Sequence, residues 1–129
     1  MNAMRLPSDI SDRVSAWVAQ TPKDGGHVDN EAARYGGVSL MGTIGAVWLL
    51  RPDASFWEVD DDSGRPLQPL PAQFHTMALV AGARRHAWLG ALLPSRPGSA
   101  VDCSICRGQG MIADAAYCSN CSALGWLPA

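Results

Sequence analysis

Four cysteines, all that this chain of 129 residues contains, fall within nineteen residues near its carboxyl end as two Cys-x-x-Cys pairs, Cys103/Cys106 and Cys118/Cys121. In each pair a tight turn lets two thiolates grip one ion from the same side. Two pairs therefore supply the four sulfurs of a closed, tetrahedral zinc site. The metal ligands expected are Cys103, Cys106, Cys118 and Cys121, with Zn2+ as a structural cofactor. Four cysteines leave no open position for water or substrate, so the ion is expected to be scaffold and not catalyst. Gly108 and Gly110 suit a chain wrapped tightly around a metal, because backbone N–H groups must turn toward the sulfurs in conformations that penalise a Cβ. Gly125 serves the same purpose after the second pair. A thioredoxin-like redox motif would instead place one Cys-x-x-Cys at the start of a helix.

Elsewhere the chemistry is sparse. His27, His75 and His86 show no His-x-x-x-His spacing, no Gly-x-Ser-x-Gly elbow is present, and Gly42-Thr43-Ile44-Gly45 lacks the length and lysine of a phosphate loop. The densest acidic run, Glu58 with Asp60, Asp61 and Asp62, lacks the alternating ligands and central glycine of a calcium loop. It reads as a solvated turn, or as a surface for a basic partner whose encounter complementary charge would speed. An enzyme using Glu58, His75 or Arg85 between sheet and late helix is the alternative; it requires a polar pocket that brings two of these together.

The stretch Cys103 to Gly110 resembles the Cys-x-x-Cys-x-Gly-x-Gly repeat of DnaJ-type co-chaperones. The second pair is expected to depart from that pattern, with Ser122-Ala123-Leu124-Gly125-Trp126 lacking the first glycine and shifting the second. No His-Pro-Asp loop of a J-domain occurs, so the resemblance implies metal binding and nothing about client proteins.

The elements that carry the tail come from the preceding hundred residues. Ile10, Val14, Trp17 and Val18 form one helical stripe, capped by Ser8 or Asp9 and ending near Gln20. Asp29 is expected to cap a second piece, Asn30 to Tyr35, stopped by Gly36. Val38–Met41, Ile44–Leu50 and Ser55–Val59 read as strands, the second central, and Arg65–Gln68 as an edge strand limited by Pro66 and Pro69. A helix from Pro71 to Leu92, or two meeting at Ala83–His86, completes an α+β domain in which a small antiparallel meander carries helices on one face. The expected boundaries are 1–94 for this domain, 95–102 for a linker and 103–129 for the zinc module. Trp126 is expected to dock the tail or to shield the metal.

The run Tyr35–Leu40, the strand–turn–strand Val47–Val59 and the ending Leu89–Pro94 are similar to the layout of the SUKH superfamily of bacterial immunity proteins. That resemblance implies a toxin-neutralising or other protein-binding scaffold without catalysis, and the acidic run would suit a basic toxin as partner. A formal charge of −2, a single lysine, and Arg107 as the only cation after Cys103 argue against a zinc ribbon that binds nucleic acid. No apolar run reaches the length of a membrane span, and Met1–Pro7 carries no signal core. A cytoplasmic, reducing setting is therefore expected, in which the cysteines stay reduced.

Overall fold

The computed structural model describes residues 8–41, 47–60, 62–113 and 116–128, with the backbone alone given for Ser8, Asp9 and Met41. It is an α+β structure that ends in a cluster of the four cysteines. Two compact units divide it, one taking in residues up to Leu40 together with Val47–Leu70, the other running from Pro71 onward.

In the first unit, helix α1 spans Ser8–Gln20 and buries Ile10 and Val14, as the stripe predicts, with Trp17 and Val18 half-buried. Its last carbonyls are satisfied from outside the helix: Thr21 donates to Trp17 O through its hydroxyl at 2.6 Å, and Lys23 Nζ donates to Val18 O at 2.7 Å. The expected caps Ser8 and Asp9 lie outside the described side chains. Helix α2 (Val28–Arg34) starts earlier than expected, and its cap is His27 rather than Asp29, because His27 Nδ1 accepts the Asp29 N–H at 3.2 Å. It ends in a Schellman turn. Gly36 N–H donates to Ala33 O and Gly37 N–H to Ala32 O, each at 3.0 Å, with Gly36 at φ +83°.

Strands β1 (Val38–Met41), β2 (Val47–Leu50), β3 (Phe56–Val59) and β4 (Pro66–Pro69) form one sheet in that order, the last three paired antiparallel. Val38 and Leu40 of β1, and Trp48, Leu49 and Leu50 of β2, are buried, so side chains of both parities are covered. Such double cover accounts for the unbroken apolar run in β2. The expected start of this strand, 44–46, falls outside the described residues. Its turn back is fixed by Ala54 N–H on Arg51 O and by Asp53, whose carboxylate accepts from Ser55 N–H at 3.0 Å. Arg51 lies over the Trp57 ring at 5.1 Å and donates to Tyr35 O, tying the hairpin to the end of α2. Two prolines bracket β4, which sits at the sheet edge where their missing N–H groups cost nothing.

In the second unit, helix α3 covers His75–Arg85, preceded by a single tight turn, Ala72–Phe74. A single helix to Leu92 does not form: His86, at φ −130° and ψ 90°, breaks it, and Ala87–Leu92 continues as 3-10 turns. The alternative of two helical pieces is what the chain adopts. Met77, Ala78, Leu79, Ala81 and Leu89 are buried there. The tail that follows is built from four very short strands: β5 (Val101–Asp102) pairs with β8 (Trp126–Leu127), and β6 (Met111–Ala113) with β7 (Ala116–Tyr117).

Candidate metal centre

Each Cys-x-x-Cys turn is followed by the same backbone path. After Cys106, Arg107, Gly108 and Gly110 have φ of 57°, 79° and 77°; after Cys121, Ser122, Ala123 and Gly125 have 54°, 67° and 86°. The hydrogen bonds repeat too. Gly108 N–H and Ala123 N–H return to the carbonyls of Cys103 and Cys118, and Gln109 N–H and Leu124 N–H to those of Cys106 and Cys121. Gly125 is thus in register with Gly110, fifteen residues on, and only the first glycine of the repeat is replaced, by Ala123. The expected shift of the second glycine is wrong.

The two turns hold each other. Cys103 N–H donates to Gly125 O and Cys118 N–H to Gly110 O, both at 2.9 Å, and the strand entering each turn pairs with the strand leaving the other. An approximate two-fold axis therefore passes through the cysteine cluster. Both closing glycines are sterically required. A Cβ on Gly110 would lie 2.5 Å from Ala123 O, and one on Gly125 would lie 2.6 Å from Gly108 O.

The four sulfurs lie within 4.8 Å of one another, and all four cysteines are buried and free of disulfides. Cys103 Sγ is 3.8 Å from Cys118 Sγ, and Cys106 Sγ is 3.7 Å from Cys121 Sγ. An S–S bond is about 2.05 Å, far shorter. A tetrahedron with metal–sulfur bonds of about 2.3 Å has edges of about 3.8 Å, so the spacing fits a divalent ion at the centre. The residues present thus suit a metal ion on geometry, donor type and burial together.

Four thiolates around a divalent ion leave a net negative charge that needs N–H donors. Gly110 N–H donates to Cys106 Sγ and Gly125 N–H to Cys121 Sγ, each at 3.2 Å, and Asn120 Nδ2 donates to Cys103 Sγ at 3.3 Å. The Asn120 side chain, with help from backbone N–H groups of the turn, lowers the Cys103 thiol to about 6. Burial has the opposite effect on Cys121, which is pushed up to about 12. Leu127 packs over the cluster. The apolar shield is therefore Leu127, while Trp126 beside it pairs through its backbone with Asp102.

The acidic run is not one constellation. Glu58 on β3 accepts from the Gln68 amide across the strand pair, and the Asp60 carboxylate accepts from Ser63 N–H and Oγ at 2.9 and 2.8 Å. Those Ser63 hydrogen bonds hold the Asp60 carboxyl below its ordinary value. Asp62 is exposed, and Asp61 lies outside the described residues. His27 serves as a helix cap, and the ring of the buried His86 lies tilted beside that of Trp88, 5.6 Å between ring centres. One small pocket lies between α2 and the sheet, lined by Val28, Glu31, Trp48 and Asp60 among others; a shallow one lies beside Arg84 and Ile112. Neither is lined by Glu58, His75 or Arg85.

Sequence reasoning missed Asn120 and Leu127 as parts of the centre. The fifteen-residue offset between the two halves is the signal that points to position 120, since it places a polar side chain inside the second turn. No known protein family matches the chain, and neither does any curated protein or solved structure. No helix among the described residues is long and apolar enough to cross a membrane.

Proposed function

We propose that Cys103, Cys106, Cys118 and Cys121 hold one zinc ion as a structural element, and that the protein acts by contact with another protein rather than by catalysis. The observation that carries the zinc reading is the pair of sulfur–sulfur distances, 3.8 and 3.7 Å, at the edge length of a zinc–thiolate tetrahedron. Zinc suits an all-sulfur tetrahedron, has no redox chemistry, and here has no open position. Its binding free energy becomes folding free energy for strands of two or three residues that have little core of their own. Elemental analysis of protein purified without chelators tests this: one zinc per chain is expected. A fully reduced, folded preparation containing no metal refutes it.

The contact reading is supported by the surface. Among the described residues, Leu67, Val101, Ile105 and Ile112 are large apolar side chains more than half exposed, at 55, 52, 64 and 60 %. In its finer form the partner is a basic protein that meets the Glu58–Asp62 stretch, as a bacterial immunity protein of the SUKH type would meet a basic toxin. The reading frame beside the gene supplies the test. A basic toxin encoded there should bind the purified protein, and Asp62→Lys should slow association severalfold at low salt. A neighbouring toxin that does not bind removes the immunity reading and leaves the metal centre untouched.

A further inference from the structure

The two halves of the metal centre match in backbone but differ at one side chain. Asn120 occupies the second variable position of its Cys-x-x-Cys turn, and its Nδ2 lies 3.3 Å from Cys103 Sγ, a sulfur of the opposite turn. Fifteen residues earlier the same place holds Ile105, which is 64 % exposed and whose side chain has no donor to offer. Backbone N–H groups of Gly110 and Gly125 serve sulfurs of their own turns. The Asn120 bond is different in kind, because it crosses from the second turn to the first.

Resting on the metal reading above, we infer that Asn120 is a positioning residue for the centre: its side-chain amide orients the Cys103 sulfur toward the ion and locks the two turns together. A ligand sulfur can only accept, so the amide nitrogen must face it, which leaves the amide oxygen turned away. Partners of this kind around a metal typically account for 10–100-fold in affinity, by fixing ligand orientation and drawing off ligand charge. The unequal halves follow. The first turn depends on a side chain of the second, whereas position 105 gives nothing back.

Zinc affinity of the full chain, measured by chelator competition, is the first readout. Asn120→Ala should bind zinc about 10–100-fold more weakly. Ile105→Ala, which changes the equivalent place, should bind as the parent does. Asn120→Asp keeps the shape but sets an oxygen against the sulfur, so it should be at least as weak as the alanine variant. The second readout is the sulfur-to-metal charge-transfer band of the cobalt-loaded protein. An N–H donor stabilises the sulfur lone pairs and raises the energy of that band, so Asn120→Ala should shift it to longer wavelength, a change that loosened packing alone would not produce. Parent affinity and an unmoved band in Asn120→Ala overturn the inference while leaving zinc binding intact. A parent chain that takes up neither zinc nor cobalt overturns the metal reading itself.

Discussion

Gly110 and Gly125 are the residues on which the centre's geometry turns most sharply. Each combines a positive φ with a carbonyl about where a Cβ would go. A left-handed alanine costs about 1–2 kcal/mol by itself, and relieving a 2.5 Å approach to Ala123 O requires the opposite turn to move. Gly110→Ala or Gly125→Ala is therefore expected to weaken metal binding by at least about tenfold, the equivalent of 1.4 kcal/mol, in a competition titration. Gly26→Ala, with nothing near its Cβ, is the control and should bind normally. Ala123 is the instructive exception, a left-handed alanine where the first turn has Gly108. Replacing it with glycine relieves about 1–2 kcal/mol of backbone strain, but returns about 0.4–1 kcal/mol of chain entropy and loses about 0.8 kcal/mol of methyl burial. These nearly cancel, so Ala123→Gly should change stability by less than about 1 kcal/mol in denaturant titration. Near-cancellation also explains why the second turn could drop its glycine without losing its shape. Acidity follows from the same neighbourhood. Cys103, lowered to about 6 by Asn120 and nearby N–H groups, has largely lost its proton at pH 7, whereas Cys121, pushed up to about 12 by burial, keeps its own until the metal displaces it. Apparent affinity should accordingly rise with pH between 6 and 8, by up to about tenfold per unit for each proton displaced, and fall faster below pH 6, where Cys103 also takes a proton.

At the scale of elements, the exit of α2 packs closely against β2. A Cβ at Gly37 would stand 2.5 Å from Leu50 O and 2.7 Å from Leu49 Cδ1, inside a buried stretch. Gly37→Ala must push the end of the Schellman turn away from the sheet, and a loss of about 1–3 kcal/mol is expected from overpacking of this sort. Gly36→Ala meets nothing, and should cost only its left-handed φ, about 1–2 kcal/mol. Urea midpoints of the two variants give the comparison. Elements with a strong period were legible in the sequence: the α1 stripe, the described part of the doubly covered β2 and, one residue later than expected, the proline-marked edge strand β4. What was not legible had a local cause. His27 displaces Asp29 as the α2 cap because an imidazole nitrogen can accept a backbone N–H as a carboxylate does. The late helix breaks at His86, whose φ and ψ leave the helical region, although the apolar spacing runs on to Leu92. Strands of two or three residues, such as β5 to β8, have no measurable period; only the cysteine spacing marks their place. Ligand types and numbers in the centre could be read directly from that spacing, whereas the crossing bond from Asn120 needs the two turns brought face to face.

Across the whole molecule the first unit and the cysteine tail draw their stability from different sources. The first has apolar burial throughout α1, β1 and β2, with Val14, Val38, Leu40 and Leu50 completely covered. The cysteine tail has four buried cysteines, Ala123 and the partly buried Leu127 around the proposed metal site, and little else. Removing the metal therefore leaves four thiolates to repel one another or take up protons, and the strand pairs β5–β8 and β6–β7 have too few hydrogen bonds to persist alone. Addition of a strong chelator, or Cys106→Ser, should release the amides of residues 101–127 to fast hydrogen exchange while those of β2 and β3 remain protected. The loss should extend part-way into α3. Arg84 of its last turn lies over the Tyr117 ring at 5.4 Å, and that stacking disappears when β7 does. Protection in the first turns of α3, where Met77 and Ala78 are buried, should survive, because Arg84, which meets Tyr117, stands at the far end of that helix. If chelation instead melted β2 and β3 together with the tail in one step, the ion would be stabilising the entire chain, and the separate origin of the tail's stability would have to be abandoned.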